Sequence, residues 1–319
     1  MKRRHLLSRH KASLAMPGVL ALAILLTVAI HPRFGAFDIQ SLAMGALPLA
    51  FAAAAQTVVV LAGGIDLSVG SMISLANVLS ARMMMHADWE QSLLIALLVL
   101  VVAAFVGALN GAIVVVSRVP DVVVTLATGF IWGGVALLIL EKPGGGAPEA
   151  FQNLGQGSFP TDWVPNALLL LIGGLVVVWA PVQHSRLGLM IRAVGSDPVA
   201  AFRSGITIAP VRIAAYATGG LFCGLGGLAL TMTTGIGSPL AGVYYTLSGL
   251  AAVVIGGVRL SGGRGGILGP VIAAYLLTLI PTDLIFLAIN PNYGQVIQGT
   301  LIVLVVMAGG LITALREAG

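Results

Sequence analysis

The chain has 319 residues, 58% of them apolar and 8% charged, with a net charge of +5 and a mean hydropathy of +1.04. Soluble domains carry about 25% charged residues, so a soluble enzyme or binding module is excluded and a polytopic membrane protein is indicated. The single cysteine, Cys223, excludes a disulfide framework and a cysteine-based metal site, and the positive balance reports where Lys and Arg lie relative to a bilayer, with no nucleic-acid partner implied.

Residues 1–12 hold Lys2, Arg3, Arg4, Arg9 and Lys11 ahead of the apolar run Leu14 to Ile30. That pattern fits a signal peptide. Further spans follow at once, so an uncleaved first helix with a cytoplasmic N-terminus is the preferred reading. About ten hydrophobic segments recur to the end of the chain, near 14–31, 42–62, 66–85, 93–116, 121–140, 166–182, 211–234, 244–257, 267–289 and 295–314. The expected fold is all-α, a single transmembrane domain over 1–319 with about ten helices. Ten crossings put the loops after even-numbered helices in the cytoplasm, and with them 13 of the 16 Lys and Arg residues. A bias this strong supports the ten-crossing topology. Only Arg33, Arg82 and Lys142 fall outside, and the Gly/Pro-rich stretch 141–165 reads as an external loop.

The junction of the second and third segments reads VVVLAGGIDLSVGS. Gly63 and Gly64 break the helix, and Asp66 follows. The stretch 63–70 is either a cytoplasmic turn or a break at membrane depth, the latter tolerated only where it is buried in protein or lines a cavity. A partial echo, AAVVIGGVRLSGGR, aligns Gly63-Gly64 with Gly256-Gly257. An internal repeat and chance similarity of two glycine-rich helix ends both account for it. The turns at Gly256, Gly257, Gly262 and Gly263 are read as structural.

Between segments six and seven the chain reads SRLGLMIRAVGSDPVAAFRSGITIAP. Ser196 or Asp197 suits an N-cap, Pro198 a first helical turn, and Gly205 a left-handed stop with positive φ. The two turns from Pro198 to Ser204 are too short to persist alone. Two readings stand: a helix resting on its own protein or the headgroups, or a peg for a soluble partner, with Phe202 as apolar anchor and Arg203 at the rim. The cytoplasmic loop spans 183–210.

Nucleotide hydrolysis is not expected of this chain. A phosphate-cradling loop ends in Gly-Lys-Ser/Thr, and none of Lys2, Lys11 and Lys142 follows a glycine. Leu260-Ser261-Gly262-Gly263-Arg264 is read as a tight turn. The five histidines sit at or beyond segment ends, so neither a nucleophile–base pair nor a metal-ligand cluster is expected. Polar residues within the apolar segments are few, and Asp66, Asn110, Thr125, Thr128, Thr282 and Asp283 are the ones singled out. They are candidates for a substrate path, and the hydroxyls and amide equally for interhelical hydrogen bonds.

Taken together, GGIDLSVGS (63–71), GALNG (107–111), VVTLATG (123–129), IRAVGSDPVAAFRSGI (191–206) and AAVVIGGVRLSGGRGGILG (251–269) resemble the permease subunits of bacterial ABC importers for ribose, xylose and related sugars. The resemblance implies a membrane subunit with no cofactor of its own, ATP being bound by a partner ATPase. It also implies a periplasmic sugar-binding protein and a second permease copy or paralogue. In that family 191–206 looks like the coupling segment that enters a groove on the ATPase. Ala200, Ala201 and Gly205 match its pattern, giving Asp197, Pro198, Ala200, Ala201, Phe202, Arg203 and Gly205 as the expected contact set. Val199 departs from a usual glutamate, Asp121 from a usual aromatic residue, and 244–249 lacks a usual acidic one. The alternative class is an ion-coupled secondary transporter of a small neutral solute.

Overall fold

The structure, a computed structural model, describes residues 11–31, 33–301, 303, 304 and 307. The basic tail before Lys11, the end of the tenth segment and Arg316 lie outside these. Among the described residues every named element is helical. In order they are α1 (Lys11–Ile30), α2 (Ala36–Leu61), α3 (Val69–Met84), α4 (Trp89–Ser117), α5 (Asp121–Ile139) and the short α6 (Glu149–Gln156). Then come α7 (Asn166–His184), which contains a π-helical turn over Leu175–Trp179, α8 (Arg186–Ser196), α9 (Pro198–Arg203), α10 (Ile208–Thr234), α11 (Val243–Ile255) and α12 (Leu268–Phe286). Helical turns resume at 293–301. The all-α polytopic reading holds, with a helix on each of the first nine expected segments and helical turns at the start of the tenth; among the described residues six helices are long and apolar enough to cross a membrane.

The core is built around α2 and α10. Every residue of α2 from Ala46 onward is buried, and α10 packs on α4, α2 and α3. Small side chains make this possible. On α2 the Ala55 carbonyl lies against Gly219 of α10 and Ala52 against Gly249 of α11, and α4 crosses α10 where Gly107 meets Gly220. In lipid no hydrophobic gain drives helices together, so close backbone approach carries the packing. The flanks of α4, α5 and α7 present Phe105, Phe130, Leu138 and Val177 outward, the surface that acyl chains or another subunit would cover.

The loops sort to two ends. At one, Gly263 N–H donates to Leu61 O at 3.1 Å and Arg192 Nη1 to Gly265 O at 2.7 Å. At the other, Gly144 and Gly237 exchange backbone bonds of 2.9 and 2.8 Å, and Gly146 N–H donates to Ala81 O at 2.9 Å. The segments 183–210 and 258–266 thus share one end, which carries Arg118, Arg186, Arg203 and Arg264. The stretch 141–165 caps the opposite end with Arg82 and Lys142. The echo Gly63-Gly64 and Gly256-Gly257 brings its two copies to the same basic end, where Gly63 and Gly262 both close on Gly195.

Two of the helices are half-length and oppose each other. Between α2 and α3 the chain turns at Gly63 and runs back inward without helix through 65–68. Between α10 and α11 it does the same from the opposite end through 236–241. The N-terminal turns of α3 and α11 meet side by side. Thr246 Oγ1 accepts Gly70 N–H at 3.0 Å, and Ser74 Oγ accepts Gly242 N–H at 2.9 Å. Each helix therefore supplies, from four residues past its glycine, the cap for an otherwise orphaned amide of the other. At 1.5 Å per residue α3 covers about 24 Å and α11 about 20 Å, together about the 43 Å of α4. The two opposed inward runs are thus 62–68 and 235–242.

Candidate functional site

The loop at 183–210 has the expected local chemistry. The Asp197 carboxylate accepts Val199 N–H and Ala200 N–H, both at 2.9 Å, so the cap is Asp197 rather than Ser196. Pro198 occupies the first turn, and the helix ends at Arg203 with Gly205 at φ +84. Ile206 N–H reaches back to Ala201 O at 3.1 Å. Only Ala201 is buried, whereas Pro198, Ala200, Phe202 and Arg203 are exposed, Phe202 by 69%. Behind α9, α8 is clamped to the rest of the basic end. A methyl group on Gly195 would overlap Leu61 O and lie 2.8 Å from Gly263 N. Partial burial pulls the pKa of the Arg192 guanidinium down from its usual value. An open groove of about 720 Å³ runs beside this face, between the α4–α5 turn and the first turn of α10, lined by Arg118 and Arg212.

The expected turn glycines serve this junction. Gly63, Gly257, Gly262 and Gly263 take positive φ of +81, +80, +90 and +69. Gly64 and Gly256 do not; they are small because Asp121 Oδ2 and Pro270 N stand where a Cβ would go.

Just beneath lies a buried polar cluster. Asp66 Oδ1 accepts Ser68 N–H at 2.8 Å and Ser68 Oγ–H at 2.5 Å. The carboxylate closes the turn before the third helix and does not cap the helix itself, because the inward run through 65–68 delays the helix to Val69. Asn110 Nδ2 donates to Ser68 Oγ at 2.7 Å, and Trp132 Nε1 to Asn110 Oδ1 at 2.9 Å. Leu67 N–H donates to Thr125 Oγ1 at 2.9 Å, Gln56 Nε2 to Asp66 O at 2.6 Å, and Thr128 Oγ1 to Thr125 O at 3.3 Å. Asp66, Asn110, Thr125 and Thr128 are thus gathered, all at most 3% exposed. Their bonds satisfy the backbone of a non-helical segment inside the bundle, as a chain buried away from water requires. Asp283 is not among them; it lies on α12 beside Thr27 of α1.

Sequence reasoning missed three partners of this region. Gln56 and Trp132 complete the cluster. Asp121 Oδ2 accepts both the Arg212 guanidinium and Tyr216 OH, the latter at 2.9 Å, tying α5 to α10. The unusual acid after Pro120 was the available signal. Replacing Asp66 by alanine is expected to orphan the buried Ser68 N–H, at a cost of about 1–3 kcal/mol, and to lower the melting temperature in detergent. Asp66→Asn, which keeps an acceptor, is expected to recover most of it. Equal melting of Asp66→Ala and the parent would show that this turn does not need the carboxylate.

A family model described as branched-chain amino acid transport system / permease component matches residues 39–306. The chain belongs to this permease family. Over 79% of its length it is 31% identical to the ribose import permease protein of Bacillus subtilis, covering 78% of that relative. It is 29% identical to the fructose import permease protein of Rhizobium meliloti over 86% of this chain and 78% of the relative. A galactose/methyl galactoside import permease protein of Escherichia coli matches at 29% over 78% of this chain and 79% of its own length. No solved structure matches the permease. The matched span covers the buried cluster, the loop at 183–210 and both half-helices.

Proposed function

We propose that this permease is the membrane-spanning subunit of an ATP-driven importer of a simple sugar or related polyol in the bacterial inner membrane. The carrying observation is that relatives matched over most of their length are import permeases for ribose, fructose and galactose. An ATPase subunit would dock at the basic end, with the Asp197-capped helix and Phe202 entering its groove. A periplasmic sugar-binding protein would deliver substrate at the opposite end, and a second copy or a paralogue would complete the path. ATP binds the partner subunit alone. Alternating access then follows from partners that bind the two states of the bundle unequally.

Two measurements test this. Labelled ribose, fructose and galactose are offered to cells carrying the permease with its ATPase and binding protein. Uptake of at least one is expected to vanish on ATP depletion and to survive collapse of the ion gradients. Uptake driven by an imposed ion gradient without ATP would instead make the chain a secondary transporter. For orientation, Ser196→Cys in a Cys223→Ser background is expected to resist membrane-impermeant maleimide in intact cells and to react in inverted vesicles. The reverse pattern overturns the assignment of the basic end to the cytoplasm.

A further inference from the structure

Four side chains stand apart from the main core as a cluster of their own: Val59 of α2, Val114 of α4, Val124 of α5 and Tyr216 of α10. All four are buried. One turn closer to the basic end, the Asp121 carboxylate holds the Arg212 guanidinium and Tyr216 OH. Gly64, at the start of the inward run, abuts both parts. A Cβ there would lie 2.5 Å from Asp121 Oδ2, 3.0 Å from Tyr216 OH and 3.1 Å from Val59 Cγ1. On one side of this assembly is the open groove of the basic end, which Val114 and Arg212 themselves line. On the other is the buried polar cluster. Asp66 follows Gly64 by two residues, and Thr125, the neighbour of Val124, accepts Leu67 N–H.

We propose that the three valines, Tyr216 and the Asp121–Arg212 pair form a gate, closed in this structure, between the groove at the basic end and the polar interior. The gate opens when the first turn of α5 parts from α10. This rests on the transport function proposed above. A dry apolar constriction stops a hydrated solute, and the ion pair locks it. The parts are built to separate. α5 packs on α3 and more lightly on α4, while Val122, Val123 and Leu126 turn outward. Its head is held to α10 through one carboxylate. The Arg212 and Asp121 side chains keep 23% and 15% of their surface exposed. Water in the groove therefore takes up both charges as they part, whereas a fully buried pair would leave each uncompensated. Gly64 leaves the carboxylate and the phenol room to meet.

Two experiments on the full-length permease test the gate. In the first, Val124→Cys and, separately, Ala136→Cys are placed in the Cys223→Ser background. Ala136 is equally buried on the same helix but lies four turns from the gate. Reaction with N-ethylmaleimide is timed in inverted vesicles. Asp121→Asn, which keeps an acceptor for Tyr216 and drops the charge, is expected to speed labelling at position 124 at least tenfold and to leave position 136 slow. Arg212→Gln serves if Asp121→Asn does not fold. No change at 124, or a matching rise at 136, would overturn the gate. In the second, Asp121→Cys with Arg212→Cys in the same background is joined by a reducible bis-methanethiosulfonate. Sugar uptake is expected to fall at least tenfold on cross-linking and to return on reduction. Undiminished uptake by the fully cross-linked permease would also overturn the gate. Labelling needs no transport, so it decides the gate even where uptake proves independent of ATP and the importer reading fails.

Discussion

Gly205→Val is expected to leave the permease in the membrane at parental abundance while abolishing transport and ATPase recovery. At φ +84 no atom lies within 4 Å of where a Cβ would stand, so nothing is struck. The cost is confined to backbone strain of about 1–2 kcal/mol. The chain relieves that strain by moving to negative φ, which redirects it between α9 and α10. The helix then no longer presents Phe202 along the same axis. Phe202→Ala isolates the contact itself. Its side chain is 69% exposed, so truncation is expected to change the permease's own stability by no more than about 0.5 kcal/mol. Loss of a central aromatic contact weakens binding by about 2 kcal/mol, roughly thirtyfold. Co-purification of the ATPase and substrate-stimulated ATP hydrolysis, at matched permease abundance, read both variants. Parental values in Gly205→Val would remove the helix from the interface.

Gly242→Ala is expected to do the opposite, leaving too little folded permease to assay. A methyl group there would occupy the position of Gly70 O and approach Ser74 Oγ to 2.6 Å. Backbone does not yield as a flexible side chain does, so α3 and α11 must part and lose both reciprocal caps. Overpacking costs about 1–3 kcal/mol, and each orphaned buried amide about 1–3 more. The sum approaches the whole stability of a typical domain. The milder Ser74→Ala and Thr246→Val remove one cap each without adding bulk, and each is expected to lower the melting temperature in detergent. Parental membrane abundance and melting of Gly242→Ala would mean that the two half-helices do not touch.

The spans were legible because bilayer thickness writes itself into the length of apolar runs, and the basic residues sorted the loops. The short helix α9 was legible for another reason: its cap, its first-turn proline and its stop glycine are all local signals. What stayed hidden depends on partners far along the chain. Asp121 is bound by Arg212, 91 positions away, and Ser74 caps an amide 168 positions away. The stretch GIGSPLAG at 235–242 has the composition of an ordinary loop. Only the polar residues of α3 beside it, Ser74, Asn77 and Ser80, hint that it is pulled inward. Asn77 Oδ1 accepts Ser238 N–H at 2.7 Å and Asn77 Nδ2 donates to Ile236 O at 3.1 Å, so an asparagine inside an apolar helix serves the returning backbone. Asp66 stood out by its charge, but the inward run that shifted its partner from the helix to the preceding turn left no mark in the hydropathy.

The head-to-head half-helices also constrain how the protein is made. A segment of 16 residues, and one of 13, cannot cross a hydrocarbon core that takes about 20. When the ribosome has finished α3, the residues that will cap it have not yet been translated. The amides at its start must wait, solvated or sheltered at the translocon, until α10 has carried the second re-entry into the bundle. The last third of the message therefore completes the first, and a nascent chain released before α11 leaves an early helix with no partner.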